Sequence, residues 1–316
     1  MSIKPPVVYL LALLCATITP PAQALVQRAF VASDGNDANT ATDCQVTLPC
    51  RTFSQAITVV NPNGEVVAID SASYGNVTLT QSISLTAAPG VYAGTSVSTG
   101  NTGIIIATPN ISVVLRGLTI NGQGGSVGIL INANNAKVSI ENCVISNFYL
   151  DIPDRQHGIL VQQAATIRIV NTLMRDNDIG IELPAGATAD ISRSKFFGND
   201  TSIFARNLTS GTTTTVAVSN TVISGSFYGI YAFANSSATS RIEMVRSIIS
   251  NSDTGVFTAS EGGTASFSFR KSLVTGNIDG LVELGSGATL ISYGNNTLSD
   301  NLNNPIIGTL TTIAPL

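Results

Sequence analysis

From Gly128 onward, apolar positions fall into a recurring block: a turn, then a glycine and an aliphatic residue, then two-residue alternation. The step recurs as Gly128-Ile129, Gly158-Ile159, Gly180-Ile181, Ser202-Ile203, Gly229-Ile230, Gly255-Val256 and Gly280-Leu281, at spacings of 30, 22, 22, 27, 26 and 25 residues. A self-similar period of this size predicts stacked supersecondary units, each burying its apolar edge only against its neighbours. Later in each block stand apolar pairs: Val138/Ile140, Ile167/Ile169, Ala189/Ile191, Val216/Val218, Ile242/Met244 and Phe267/Phe269. The residue inside each pair is mostly polar, as in Ser139, Arg168, Asp190 and Glu243. This is strand alternation, with one face inward and one outward. Each coil is expected to hold about three short strands separated by turns.

Finer columns follow from the alignment. Cys143, Thr172, Ser194, Thr221, Ser247 and Ser272 share a position that suits a small inward-facing residue. Asn177, Asn199 and Asn277 align at one turn, and Asn142, Asn171 and Asn220 at another. Asparagine tolerates left-handed backbone, and stacked coils let its amide bond to the windings above and below, so a structural role is expected. Val144, Leu173, Lys195, Val222, Ile248 and Leu273 alternate outward while Ile145, Met174, Phe196, Ile223, Ile249 and Val274 point in. Such an exposed aliphatic ridge would be a protein-contact candidate; a turn that breaks the alternation would instead leave both sets partly buried.

Composition narrows the class. Only 11% of residues are charged, Trp is absent and the net charge is −4, which suits a β-rich chain and gives no basic run for nucleic acid. Lys4, the apolar run Val7 to Ile18 and Ala22-Gln23-Ala24 read as a signal peptide cleaved after Ala24, so residues 1–24 are expected to be removed and the protein secreted or periplasmic. No other apolar run approaches membrane-spanning length, so no transmembrane segment is expected in the mature chain. In an oxidising compartment Cys44 and Cys50 are expected to form a disulfide; a metal pair is disfavoured because no second Cys/His pair sits nearby.

The run Phe30-Val-Ala-Ser-Asp-Gly-Asn-Asp37, with Cys44, Pro49-Cys-Arg-Thr-Phe53 and Ser54-Gln-Ala-Ile57, resembles the opening segment of secreted right-handed parallel β-helix proteins of the pectin-lyase-like superfamily. Asn63-Gly-Glu-Val-Val-Ala-Ile69 and Tyr74-Gly75 resemble that family's first strand and turn. The resemblance implies one all-β domain, a right-handed parallel β-helix over 25–316. Residues 25–75 would form the N-terminal cap and first strand, 76–303 the coils, and 304–316 a C-terminal cap. Thr52 to Val60 would be a short capping helix burying Phe53, Ala56 and Ile57. Early strand cores are expected at Ser82-Ile-Ser-Leu85, Gly103-Ile-Ile-Ile106 and Ser112-Val-Val-Leu115. About nine to ten coils would make a rod some 45 Å long.

The largest departure from the repeat is the segment Phe148-Tyr-Leu-Asp-Ile-Pro-Asp-Arg-Gln-His157, which carries the only histidine. An insertion at a solenoid turn protrudes, and such loops often bind ligands. In register, Asp154 aligns with Asp176 and Asp178 with Asp200, with Arg155, Arg175 and His157 close by. These five ionic partners, Asp154, Asp176, Asp178, Asp200 and Arg175, are the binding candidates. Clustered oxygen donors at Asp176, Asp178 and Asp200 would suit Ca²⁺, although Asp is also an ordinary turn residue. The family's enzymes act on acidic polysaccharides by β-elimination or hydrolysis, which would assign His157 or Arg155 as base or charge stabiliser. The chain lacks the Asn-Thr-Asp, Asp-Asp and Arg-Ile-Lys signatures of polygalacturonases, and without Trp it has no Trp-x-Asp-His. The favoured reading is therefore a noncatalytic surface for a polysaccharide or a cell-surface protein. A polysaccharide lyase or glycoside hydrolase, and a structural or adhesin module, are the alternatives.

Overall fold

The alternating segments form strands, and the strands stack in register. In the computed structural model residues 25–149 and 155–314 are described; the expected signal peptide, and Asp154 within the insertion, lie outside the described residues. Among these residues the chain winds into three parallel sheets of 12, 10 and 10 strands. Each coil contributes one strand to the first sheet, then the second, then the third; Lys137–Glu141, Val144–Ser146 and His157–Val161 make one such coil. The expected early strands are present as Ile83–Ala87, Thr102–Ile106 and Ser112–Arg116. Nine to eleven inter-strand steps of about 4.8 Å give a rod about 43–53 Å long.

The repeat step is the register mark of the third sheet. Ile129 pairs with Ile159, Ile159 with Ile181, Ile181 with Ile203, Ile203 with Ile230, Ile230 with Val256 and Val256 with Leu281. All of these side chains are fully buried. The glycine before them is needed for close approach: a Cβ at Gly229 would sit 2.5 Å from the Gly255 carbonyl oxygen, and one at Gly180 2.5 Å from that of Ser202.

Polar ladders hold the inside of two corners. The Cys143 column is a chain of hydrogen bonds running one way along the rod. The backbone N–H of Thr172 donates to Ser194 Oγ (3.2 Å), Thr221 N–H to Ser247 Oγ (3.1 Å), and Ser247 N–H to Ser272 Oγ (3.2 Å). These donors are buried, so each hydroxyl removes the cost of an unpaired amide. At the outer side of the same corner the backbone turns left-handed at Asn142, Asn171, Arg193, Asn220, Arg246, Lys271 and Asn295, with φ between 48° and 54°. Single left-handed residues let successive strands meet at a sharp angle.

Four details differ from expectation. The N-terminal helix is shorter, an α-turn at Phe53–Ala56 followed by a 3-10 turn at Ile57–Val59. Phe53 and Ala56 are fully buried, but Ile57 packs only at the edge of the core. The C-terminal segment does not fold over as a cap: Asn304–Ile307 pairs with the third sheet and Leu310–Thr312 with the first, continuing the winding. The aliphatic ridge does face outward, and its inward neighbours are fully buried. Stacking nevertheless shields Val144, Leu173, Val222 and Leu273 to half-buried, leaving Ile248 and Lys195 exposed.

Candidate functional site

The site candidates gather on the outer face of the third sheet and on the turn that leads into it. Cys44 and Cys50 are disulfide-bonded near the N-terminal end, away from this region. At the turn, a cavity of about 510 Å³ is lined by Asn147, Tyr149, Asp176, Gly198, Asn199 and Asp200. Two of the expected acids therefore share one cavity, with the exposed Tyr149 at its edge. The cavity floor is set by the buried asparagine ladder. Asn177 Oδ1 accepts from Phe148 N–H (3.1 Å), and Asn177 Nδ2 donates to Asn199 Oδ1 (2.9 Å).

Each acid has its own partner. Asp176 pairs with Arg175 at 2.6 Å, both about half exposed, and Asp178 Oδ2 accepts from Gln156 N–H (3.0 Å). Burial raises the Asp200 carboxyl above its usual range and the charges of Asp178 and Asp253 add to this, while Arg155 opposes them. Arg155 thus lies within electrostatic reach of Asp200. Among the described residues no group of three or more His, Cys, Asp or Glu side chains could hold a metal ion. The calcium set expected at Asp176, Asp178 and Asp200 is not formed there, because Asp176 points to Arg175 and Asp178 to a backbone amide.

His157 goes elsewhere. It is nearly buried, and its Nε2 lies 2.6 Å from Glu182 Oε2, one coil on; Glu182 Oε1 is 3.1 Å from the Arg206 guanidinium. Burial pushes the Glu182 carboxyl up, but the hydrogen bonds and charges of His157 and Arg206 outweigh it and hold it below its usual range. With Glu182 ionised, its oxygen accepts from a protonated Nε2. A buried carboxylate is tolerated here because both of its oxygens have a partner, His157 Nε2 on one and the Arg206 guanidinium on the other.

Glu182 opens an outward column that the sequence reading missed. The column runs Leu160, Glu182, Phe204, Tyr231 and Phe257, each paired with the next across adjacent strands. Phe204 and Tyr231 stack at 4.5 Å, and Tyr231 meets Phe257 edge-on at 5.0 Å. Tyr228 joins from the same coil, 5.2 Å from Tyr231, and Phe227 lies 4.6 Å from Tyr228. Burial raises the Tyr231 phenol above its usual range, Tyr228 and Glu261 add to this, and Arg155 and Arg206 pull it back. Both guanidiniums are thus within electrostatic reach of Tyr231, and Arg155 also of Asp200. Reading every position two residues after the repeat glycine would have found this column, since it turns from aliphatic to acidic to aromatic.

The sequence model of the family described as right handed beta helix region matches residues 127–302. No curated protein sequence matches the chain. Among solved structures, an alginate lyase of the PL6 family aligns with a TM-score of 0.56 at 12% identity, covering 92% of this chain and 41% of that one. A pectate lyase aligns at 0.47 and 13% identity (92% and 78% covered), and a tailspike protein at 0.45 and 10% (89% and 68%). At such identities the likeness is one of fold, and the chain spans less than half the length of the alginate lyase. With its three in-register parallel sheets and a family match over more than half its length, the chain belongs to the right-handed β-helix family.

Proposed function

We propose that the chain is an exported protein that binds an acidic polysaccharide along the outer face of the third sheet without cleaving it. The observation that carries this reading is the half-buried pair Tyr231 and Phe257, backed by the buried Phe204, within electrostatic reach of Arg155 and Arg206. Aromatic faces suit the apolar faces of sugar rings, and guanidinium groups pair with carboxylates in forked geometry. Tyr231 and Phe257, half-buried on successive coils about 4.8 Å apart, form its exposed part, and the buried Phe204 backs Tyr231. The Cys44–Cys50 disulfide supports export, because such bonds persist in oxidising compartments. No helix among the described residues is long and apolar enough to cross a membrane.

A second reading, a polysaccharide lyase, is favoured by the buried His157–Glu182 pair and the half-exposed Arg206 that shares the carboxylate. A histidine oriented by a carboxylate is the composition that acid–base sites use. One experiment separates the two. The protein is incubated with a panel of uronic-acid polymers, with binding followed by calorimetry and products by the ultraviolet absorbance of unsaturated uronates. Saturable binding with no product is expected. New absorbance lost in His157→Ala would establish the lyase reading instead, and absence of binding across the panel would remove both.

A further inference from the structure

A second cavity, of about 730 Å³, lies at the corner between the first and second sheets near the C-terminal end of the rod. Its lining includes Glu243, Arg246, Arg270, Lys271, Tyr293 and Asn295. Three cations thus face one carboxylate in a chain that carries a net charge of −4 and only 15 Lys and Arg in 316 residues.

The fold explains why the cations converge. Arg246, Lys271 and Asn295 occupy the left-handed corner on successive coils, with φ of 48°, 51° and 54°, so their side chains leave the rod on the same side. Elsewhere this corner is mostly asparagine, at Asn142, Asn171 and Asn220, with Arg193 a single basic residue between two of them. Asparagine is the residue that tolerates left-handed backbone. Placing Arg and Lys on consecutive coils accepts backbone strain and brings like charges about one coil step apart. Asn220 Oδ1 accepts from Arg246 Nε (3.0 Å), which fixes the guanidinium. Glu243 lies 3.5 Å from Arg270, but both side chains are more than half exposed, so solvent screens that pair. Tyr293, half-buried, supplies a ring in the wall.

We propose that this corner cavity is a second, separate subsite for an anionic sugar residue, its carboxylate or sulfate ester seated between Arg246 and Lys271 and its ring against Tyr293. The inference does not rest on the third-sheet reading. Binding of short uronic-acid oligomers, sulfated oligosaccharides and inorganic sulfate is measured by calorimetry at low salt. The proteins are the wild type, the Arg246→Asn/Lys271→Asn double variant and Tyr231→Ala. Asparagine already serves this corner on other coils, so the double variant retains the turn. The titration of one class of anionic oligosaccharide is expected to resolve a site whose affinity the double variant lowers at least tenfold, while Tyr231→Ala lowers only the affinity of the third-sheet site. Preference for the uronate or the sulfated arm identifies the anionic group. A double variant that binds both sugar classes like the wild type overturns the inference. Binding of inorganic sulfate with neither sugar also overturns it, as an adventitious ion only. Loss in Tyr231→Ala alone would leave the third-sheet reading standing and this one refuted.

Discussion

Replacing Asn177 with alanine perturbs the link between the solenoid's interior and the acidic cavity. Asn177 is fully buried. Its Oδ1 accepts from the Phe148 N–H (3.1 Å), and its Nδ2 donates to the Ile145 carbonyl (3.3 Å) and to Asn199 Oδ1 (2.9 Å). Alanine leaves the Phe148 amide without this acceptor and deprives the Ile145 and Asn199 oxygens of a donor. An unsatisfied buried group costs about 1–3 kcal/mol, and the two oxygens keep some capacity elsewhere, so a loss of about 2–4 kcal/mol is expected. Equilibrium urea unfolding, followed by far-ultraviolet circular dichroism at neutral pH, measures it. Asn171→Gly is the control: it lies at an exposed left-handed corner where glycine fits, and it should change stability by no more than about 0.5 kcal/mol. A loss below about 1 kcal/mol, or an equal loss in the control, would refute the view that inward amides hold this turn.

Other consequences concern acids and thiols. Glu182 is held below its usual range against the effect of burial, so its stabilisation is present above the ordinary carboxylate range and lost as pH falls through its lowered pKa. Glu182→Gln should therefore flatten the acid limb of a stability–pH curve; an unchanged limb would contradict the pairing with His157 and Arg206. Asp200 has the opposite sign. Burial, then Asp178, raises its pKa, so its ionisation opposes folding at neutral pH. Asp200→Asn should raise the melting temperature at pH 7, and the gain should vanish below the carboxylate range. The buried Cys143 thiol is pushed up to about 11 by burial. The chain from Leu25 onward should resist alkylation when native and expose one thiol per chain in denaturant; rapid native labelling would show that the interior opens.

The rod was legible because its signal is local and repeated. One glycine-aliphatic step and one alternating pair per coil fix both strand period and register, so Ile129 and Ile159 could be placed side by side from spacing alone. The turns were legible in part: Asn177 and Asn199 read as structural. The His157–Glu182 contact was not. It joins residues 25 positions apart that stand at different offsets from the repeat glycine, and a column alignment compares only like offsets. The calcium expectation failed for a related reason. Sequence brings carboxylates to one corner, but it does not show that Asp178 accepts a backbone amide or that Asp176 turns to Arg175. The C-terminal residues carry no repeat glycine, which hid their pairing with the first and third sheets.

The polysaccharide is expected to sit on the half-buried rings of the third sheet. Dissociation constants for one uronic-acid polymer, measured by affinity electrophoresis for the wild type, Tyr231→Ala and Tyr92→Ala, test it. Tyr92 is exposed and lies toward the other end of the rod, outside the aromatic column. Removing the central ring of the column is expected to weaken binding about tenfold or more, on the scale of about 2 kcal/mol for truncating an aromatic anchor in a binding surface, while Tyr92→Ala binds as the wild type does. Equal affinities for all three proteins would contradict the assignment of the third-sheet face as the binding surface.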